Sequence, residues 1–116
     1  MKCFSVFSIL LICLVYSNLY SQNQANIWYF GQNAGLDFNS GIPVALTDGS
    51  LTSVEGCASI SDQNGDLLFY TNGMTIWNNN HMLMTNGSGL LGDSSATQSA
   101  VIVPKPNSSS IFYVFA

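Results

Sequence analysis

Positive charge is nearly absent from this chain. Its two cations, Lys2 and Lys105, stand against six carboxylates in 116 residues. No basic patch exists to neutralise phosphates, which excludes nucleic acid as a partner and disfavours an anionic membrane surface. Cysteine is equally scarce, with Cys3, Cys13 and Cys57 alone, too few for the disulfide framework of a small secreted domain. Only one long apolar run occurs. It covers 13 residues, Phe4 to Tyr16, against the roughly 20 that span a bilayer as a helix. No segment carries a capped 3.6-residue apolar period, and no G-x-S-x-G elbow, P-loop or dinucleotide fingerprint is present.

The apolar run reads instead as a secretory signal. Lys2 supplies a minimal positive start, and Leu19-Tyr20-Ser21 places a small residue before Gln22. Residues 1–21 are therefore expected to be a signal peptide, with an uncleaved membrane anchor as the alternative. Leu10-Leu11-Ile12 before Cys13 lacks the small residues of a lipoprotein signal. Cleavage removes Cys3, Cys13 and Lys2, leaving Cys57 without an internal disulfide partner. Between Gly56 and Ala58 it reads as a small core residue, with a reactive thiol or an intermolecular bridge as the alternative. The mature chain keeps Lys105 against Asp37, Asp48, Glu55, Asp62, Asp66 and Asp93. Its solubility rests on neutral Asn, Ser, Gly and Thr, as in many extracellular β proteins.

What the mature chain does contain is a beat. The aromatic pairs Trp28-Tyr29, Phe69-Tyr70 and Phe112-Tyr113 are 41 and 43 residues apart, and Ala58-Ser59-Ile60 is echoed 42 residues later by Ala100-Val101-Ile102. Strand signals fill the interval. Strands are predicted over 26–31, 35–39, 42–46, 57–61, 67–71, 74–77, 99–103 and 111–116. Asn78 to Gly92 is predicted to be a polar connection. Asp62-Gln63-Asn64-Gly65-Asp66 is the strongest turn signal, since Asn-Gly supplies the positive φ of tight hairpins. A period in the low forties built from short strands matches one propeller blade. The expected fold is all-β and antiparallel: a partial β-propeller of about two blades over residues 22–116, its aromatic pairs filling the space between sheets. A sandwich is the alternative. Closure takes roughly four to eight blades, so the chain is expected to be a fragment of a longer protein.

Candidate chemistry is sparse. Asp62, Asn64 and Asp66 begin like a calcium loop, but Gly65 is misplaced for an EF-hand and position 12 is Gly73; turn chemistry explains the same residues without a metal. Glu55 and Asp66 are the one carboxylate pair to nominate for glycoside hydrolysis, which needs a separation of roughly 5–10 Å. His81 has neither a second histidine nor a cysteine cluster beside it, and reads as an exposed loop residue. Trp28, Trp77, Tyr29 and Tyr70 could stack on sugars, but their strands make packing the simpler reading. The loops around Asn78 to Asn80 and Asn86 are better placed to meet a ligand. No catalytic residue, cofactor or metal is expected.

The segments Asp62 to Asn78 (DQNGDLLFYTNGMTIWN), Thr97 to Pro106 (TQSAVIVPKP) and Ile27 to Phe38 (IWYFGQNAGLDF) carry a resemblance. Together they resemble the N-terminal region of large secreted proteins of Bacteroidetes-type gliding bacteria. Those proteins have a propeller-like N-terminal domain and end in a gliding-motility-associated sorting domain read by the type IX secretion system. No counterpart of that sorting domain lies in these residues. The resemblance implies a secreted or cell-surface location and an adhesive or binding role toward an extracellular glycan or surface protein. It brings no catalytic residue. A fragment of a secreted polysaccharide-degrading hydrolase is the alternative function.

Overall fold

The computed structural model describes residues 23–116; the predicted signal peptide, with Cys3 and Cys13, lies outside the described residues. The described chain is all-β and antiparallel, its only helical element being a single 3-10 turn at Asn23–Ala25. Nine strands form three successive sheets. They do not close on one another into a ring.

The first sheet is a meander of β1 (Ile27–Phe30), β2 (Ala34–Asp37) and β3 (Val44–Leu46). Ile27 faces Asp37 and Phe30 faces Ala34 across the first pair. Gly31 and Asn33, both at positive φ, turn the chain between them. The segment after β3 then returns to this turn. Asn33 N–H donates to the Leu51 carbonyl and Ser53 N–H to that of Gly31, each at 2.8 Å.

The second sheet has four strands in chain order: β4 (Ala58–Ser61), β5 (Leu67–Thr71), β6 (Thr75–Asn78) and β7 (Leu83–Ser88). Local chemistry makes each turn. Asp62 Oδ1 accepts the N–H groups of Asn64 (2.8 Å) and Asp66 (3.0 Å), and Gly65 takes φ +93°. Asn72 Oδ1 accepts from Met74 and Thr75, with Gly73 at φ +85°. Asn78 Oδ1 accepts from Asn80 and Met82. These are Asx-type turns, in which a short side chain stands in for a backbone carbonyl. The third sheet is the hairpin of β8 (Val101–Pro104) and β9 (Phe112–Phe115), closed by Lys105 N–H to the Ile111 carbonyl at 2.9 Å.

One expectation fails here. Residues 78–92 are not simply a polar connection, because β7 lies within them. Met82, Leu83 and Met84 are all exposed. Backbone pairing with β6 holds this outer strand, so it lacks the buried alternation that marks strands in sequence.

The core sits between the first and second sheets. Tyr29, Leu51 and Tyr70 are buried there, with Leu46, Cys57, Leu67 and Trp77 packed around them. Leu51 is fully enclosed, a burial that stabilises by about 1.5–3 kcal/mol. The rings of Tyr29 and Tyr70 stack at 4.6 Å, and Tyr70 stacks on Trp77 at 5.6 Å. Between the second and third sheets, Phe69 meets Phe112 edge-on at 5.5 Å. Small residues permit the close approach of backbones behind them. A Cβ on Gly56 or Gly73 would overlap the backbone of Ser99.

Candidate functional site

The densest polar arrangement lies where the loop after β3 meets the β6–β7 turn, over the stacked tyrosines. Tyr29 is placed by β1 and Tyr70 by β5, while Asp48 and Ser50 come from the loop after β3. His81 comes from the β6–β7 turn. Its φ of +60° is uncommon for a residue other than glycine, and the Asn78 side chain holds the turn in that shape.

These groups form one hydrogen-bonded chain. Ser50 N–H donates to the Tyr70 hydroxyl oxygen at 2.9 Å, and that hydroxyl lies 3.1 Å from His81 Nδ1. With the Tyr70 O–H assigned as donor to Nδ1, the imidazole N–H is Nε2, which faces Asp48 Oδ2 at 3.4 Å. Tyr29 O–H donates to Asp48 Oδ1 at 2.8 Å. Ser50 Oγ donates to the His81 carbonyl at 2.9 Å, tying the two loops directly. This assignment gives every member a partner.

Burial raises Tyr29 far above the ordinary tyrosine value, with the adjacent Asp48 carboxylate reinforcing the shift. Burial raises Tyr70 as well. The Tyr29 hydrogen bond holds Asp48 below the usual carboxylate range, with the His81 contact adding to it. Tyr70 is fully buried, so its hydroxyl meets no substrate, and the Tyr70–His81–Asp48 line is not a catalytic triad in use. Its chemistry is to lock two loops over two sheets. Asp48 and the edge of His81 face outward as a hydrogen-bonding rim.

His81 therefore corrects the expectation of a partnerless loop residue. Its side chain is 22 % exposed and sits against both tyrosine rings. Asp48 and Ser50 were not legible as site residues, because Asp48-Gly49-Ser50 looks only like a chain break. Asn78 Oδ1 is likewise committed to turn hydrogen bonds, whereas Asn79, Asn80 and Asn86 are exposed.

The other nominated residues stand apart. Asp62, Asn64 and Asp66 lie in the β4–β5 turn, with Asp62 Oδ1 committed to backbone N–H groups. Among the described residues, no group of three or more His, Cys, Asp or Glu is placed to hold a metal. Glu55 precedes β4 and accepts from Thr97 Oγ1, while Asp66 follows β4 across the turn. A strand rising about 3.3 Å per residue places them on the order of 15–20 Å apart. That is too far for the paired-carboxylate mechanism. Of the four aromatics, Tyr29 and Tyr70 are core and Trp77 is half-buried against Tyr70. Trp28 departs from that pattern. It is 49 % exposed, packs on Phe38 at 5.0 Å and donates to the Ala25 carbonyl. With Phe30, Leu36, Cys57 and Ala58 it lines an apolar cleft of about 510 Å³. Burial pushes the Cys57 thiol up, which keeps it protonated and poorly nucleophilic.

No protein-family model, curated protein or solved structure matches the chain.

Proposed function

We propose that this chain is a non-catalytic extracellular or cell-surface segment of a β-propeller, belonging to a larger adhesin-like or gliding-motility-associated protein with a binding or surface-presenting role. One observation carries the reading. The β4–β5 and β8–β9 hairpins recur 43 to 45 residues apart, and successive sheets pack through the repeated aromatics, Tyr29 on Tyr70 and Phe69 on Phe112. A propeller is assembled from four-stranded units packed in sequence, and the second sheet is one such unit between sheets of three and two strands. Export is supported by the signal-like first 21 residues, and a binding role by the exposed polar loops. The estimated separation of Glu55 from Asp66 leaves the alternative, a fragment of a polysaccharide-degrading hydrolase, without the one carboxylate pair nominated in this sequence, so its catalytic carboxylates would lie largely downstream.

Two measurements test this. Antibodies against residues 23–116 are expected to label intact cells or the culture medium; a signal found only after lysis would overturn the location. Reading the coding DNA past Ala116 is expected to show further repeats of about 42 residues. A catalytic domain there, with no further repeats, would overturn the role.

A further inference from the structure

We propose that the outer edge of β9, with the apolar cleft beside it, is the acceptor for one more strand of the β6 type, supplied by a further repeat of the protein. The inference rests on the propeller reading above and gives it a partner and a register. Among the described residues β9 pairs with β8 alone, whereas its counterpart β5 lies between β4 and β6. Open strand edges are commonly guarded by a charge, a proline or a bulge. Strand β9 reads Phe112-Tyr113-Val114-Phe115 and its register with β8 is unbroken, so it has none of these.

Backbone hydrogen bonds set the register of the added strand. Lys105 N–H donates to the Ile111 carbonyl, and alternation along the antiparallel pair then turns the backbones of Tyr113 and Phe115 toward β8. Those of Phe112 and Val114 face the open edge. In the second sheet Asn78 N–H donates to the Met82 carbonyl, so β6 turns its backbone to β7 at Asn78 and to β5 at Trp77, opposite Tyr70. Tyr70 and Phe112, 42 residues apart, both face the preceding sheet, one against Tyr29 and the other against Phe69. The place opposite Phe112 therefore belongs to a counterpart of Trp77.

The space beside Phe112 fits that residue. Trp77 stacks on Tyr70 at 5.6 Å and packs into the core between the first and second sheets. At the corresponding place between the second and third sheets lies an apolar cleft of about 480 Å³, bounded by Phe112 and Val114 on one side and by Ile76 and Met84 on the other. No ionisable residue lines it, so a charge carried in would lose its hydration without a partner. The occupant is then an uncharged strand with a large aromatic residue opposite Phe112. A second copy of the chain does not fit. Two β9 strands paired antiparallel are related by a two-fold axis normal to the sheet, which sets both second sheets on the same side of the joined strands, where they would overlap.

The test is titration of the full chain with a dye-labelled synthetic peptide of residues 73–79, which carries β6, read by fluorescence anisotropy. Saturable binding is expected. It should weaken at least about tenfold when Trp77 of the peptide is replaced by alanine or its amide is N-methylated, since that N–H faces β9. N-methylation at Ile76 of the peptide, whose N–H faces away, should change the affinity less than about threefold. Met84→Glu in the chain, at an exposed position on the cleft floor, should weaken binding about tenfold and leave the Tm unchanged. No saturable binding, equal binding by a scrambled peptide, or equal sensitivity to methylation at Ile76 and Trp77 overturns the inference. A peptide that binds only by dissolving a dimer assigns the edge to a second copy and overturns it too. None of these results bears on surface labelling or on repeats past Ala116, so the proposed function stands or falls separately.

Discussion

Replacing Tyr70 by Phe removes a single oxygen and keeps the ring, so it isolates the hydrogen-bonded chain from the stacking beneath it. That oxygen accepts from Ser50 N–H and bonds His81 Nδ1. Both partners are partly buried and neither gains an alternative from the substitution. Two net hydrogen bonds, each leaving a partner unpaired, amount to about 2–3 kcal/mol. A described chain of this length has a total stability of about 5–14 kcal/mol, so the loss is a large fraction. At about 1 kcal/mol per molar in urea, the midpoint should fall by roughly 2–3 M. Tyr29→Phe is the internal reference. Its hydroxyl donates to Asp48, whose carboxylate is exposed and can turn to water, so about 1 kcal/mol is expected. Urea titration followed by tryptophan fluorescence reads both, because Trp77 stacks on Tyr70. If Tyr70→Phe costs no more than Tyr29→Phe, the chain is incidental to stability and the reasoning fails.

Gly73→Ala should cost about 2 kcal/mol or more, read as a lower urea midpoint, because φ is +85° and the added Cβ meets the Ser99 backbone. Stability should decline above about pH 10. Unfolded tyrosines lose their protons there while Tyr29 and Tyr70 keep theirs, so the folded state binds more protons and ΔG falls by up to about 1.4 kcal/mol per pH unit for each. The contribution is fully present below pH 10, and denaturation at pH 8 and pH 11 checks the sign. Asp62→Ala should lower the Tm equally in EDTA and in excess calcium, since the carboxylate is used by the turn; a calcium-dependent rise in the parent chain would reverse that reading. Phe69→Ala should cost about 3–5 kcal/mol and Tyr113→Ala under about 1, by the same titration, because one ring is buried and the other half exposed.

What was legible in the sequence was whatever local chemistry decides. Strand β5 runs from Leu67 to Thr71 as predicted, because it follows an Asp-x-Asn-Gly-Asp turn and precedes Asn-Gly, both of which form through their own side chains. Strand β7 was not legible. It is held by pairing along the β6 edge and leaves Leu83 and Met84 exposed, so its residues carry no buried period. The site shows the same division. Tyr29, Tyr70 and His81 were visible as residue types with a chemical use, but their meeting depends on contacts across 11 to 52 positions in sequence. Asp48 was invisible for a sharper reason. A carboxylate in an Asp-Gly-Ser break is adequately explained as a turn former, and only the packing of the loop over Tyr29 gives it another role.

The aromatic pairs show how far a repeat can be taken. Their spacing marks equivalent positions, but adjacent residues on a strand point to opposite faces, so equivalence in sequence does not make equivalence in burial. Strand β5 is the one whose sheet has a neighbour on both sides. Tyr70 is covered by Tyr29 of the first sheet and Phe69 by Phe112 of the third, and both are buried. Strand β1 has the second sheet on one side, so Tyr29 is buried while Trp28 stays half exposed against Phe38. Strand β9 meets the second sheet through Phe112, and Tyr113 is left at 46 % exposure. Burial of both members is therefore a property of a sheet packed between two others, not of the aromatic motif. The same rule separates packing from recognition: where a pair is covered twice it can only hold the fold, and where one face is open, as at Trp28 and Tyr113, an aromatic edge remains for a ligand to meet.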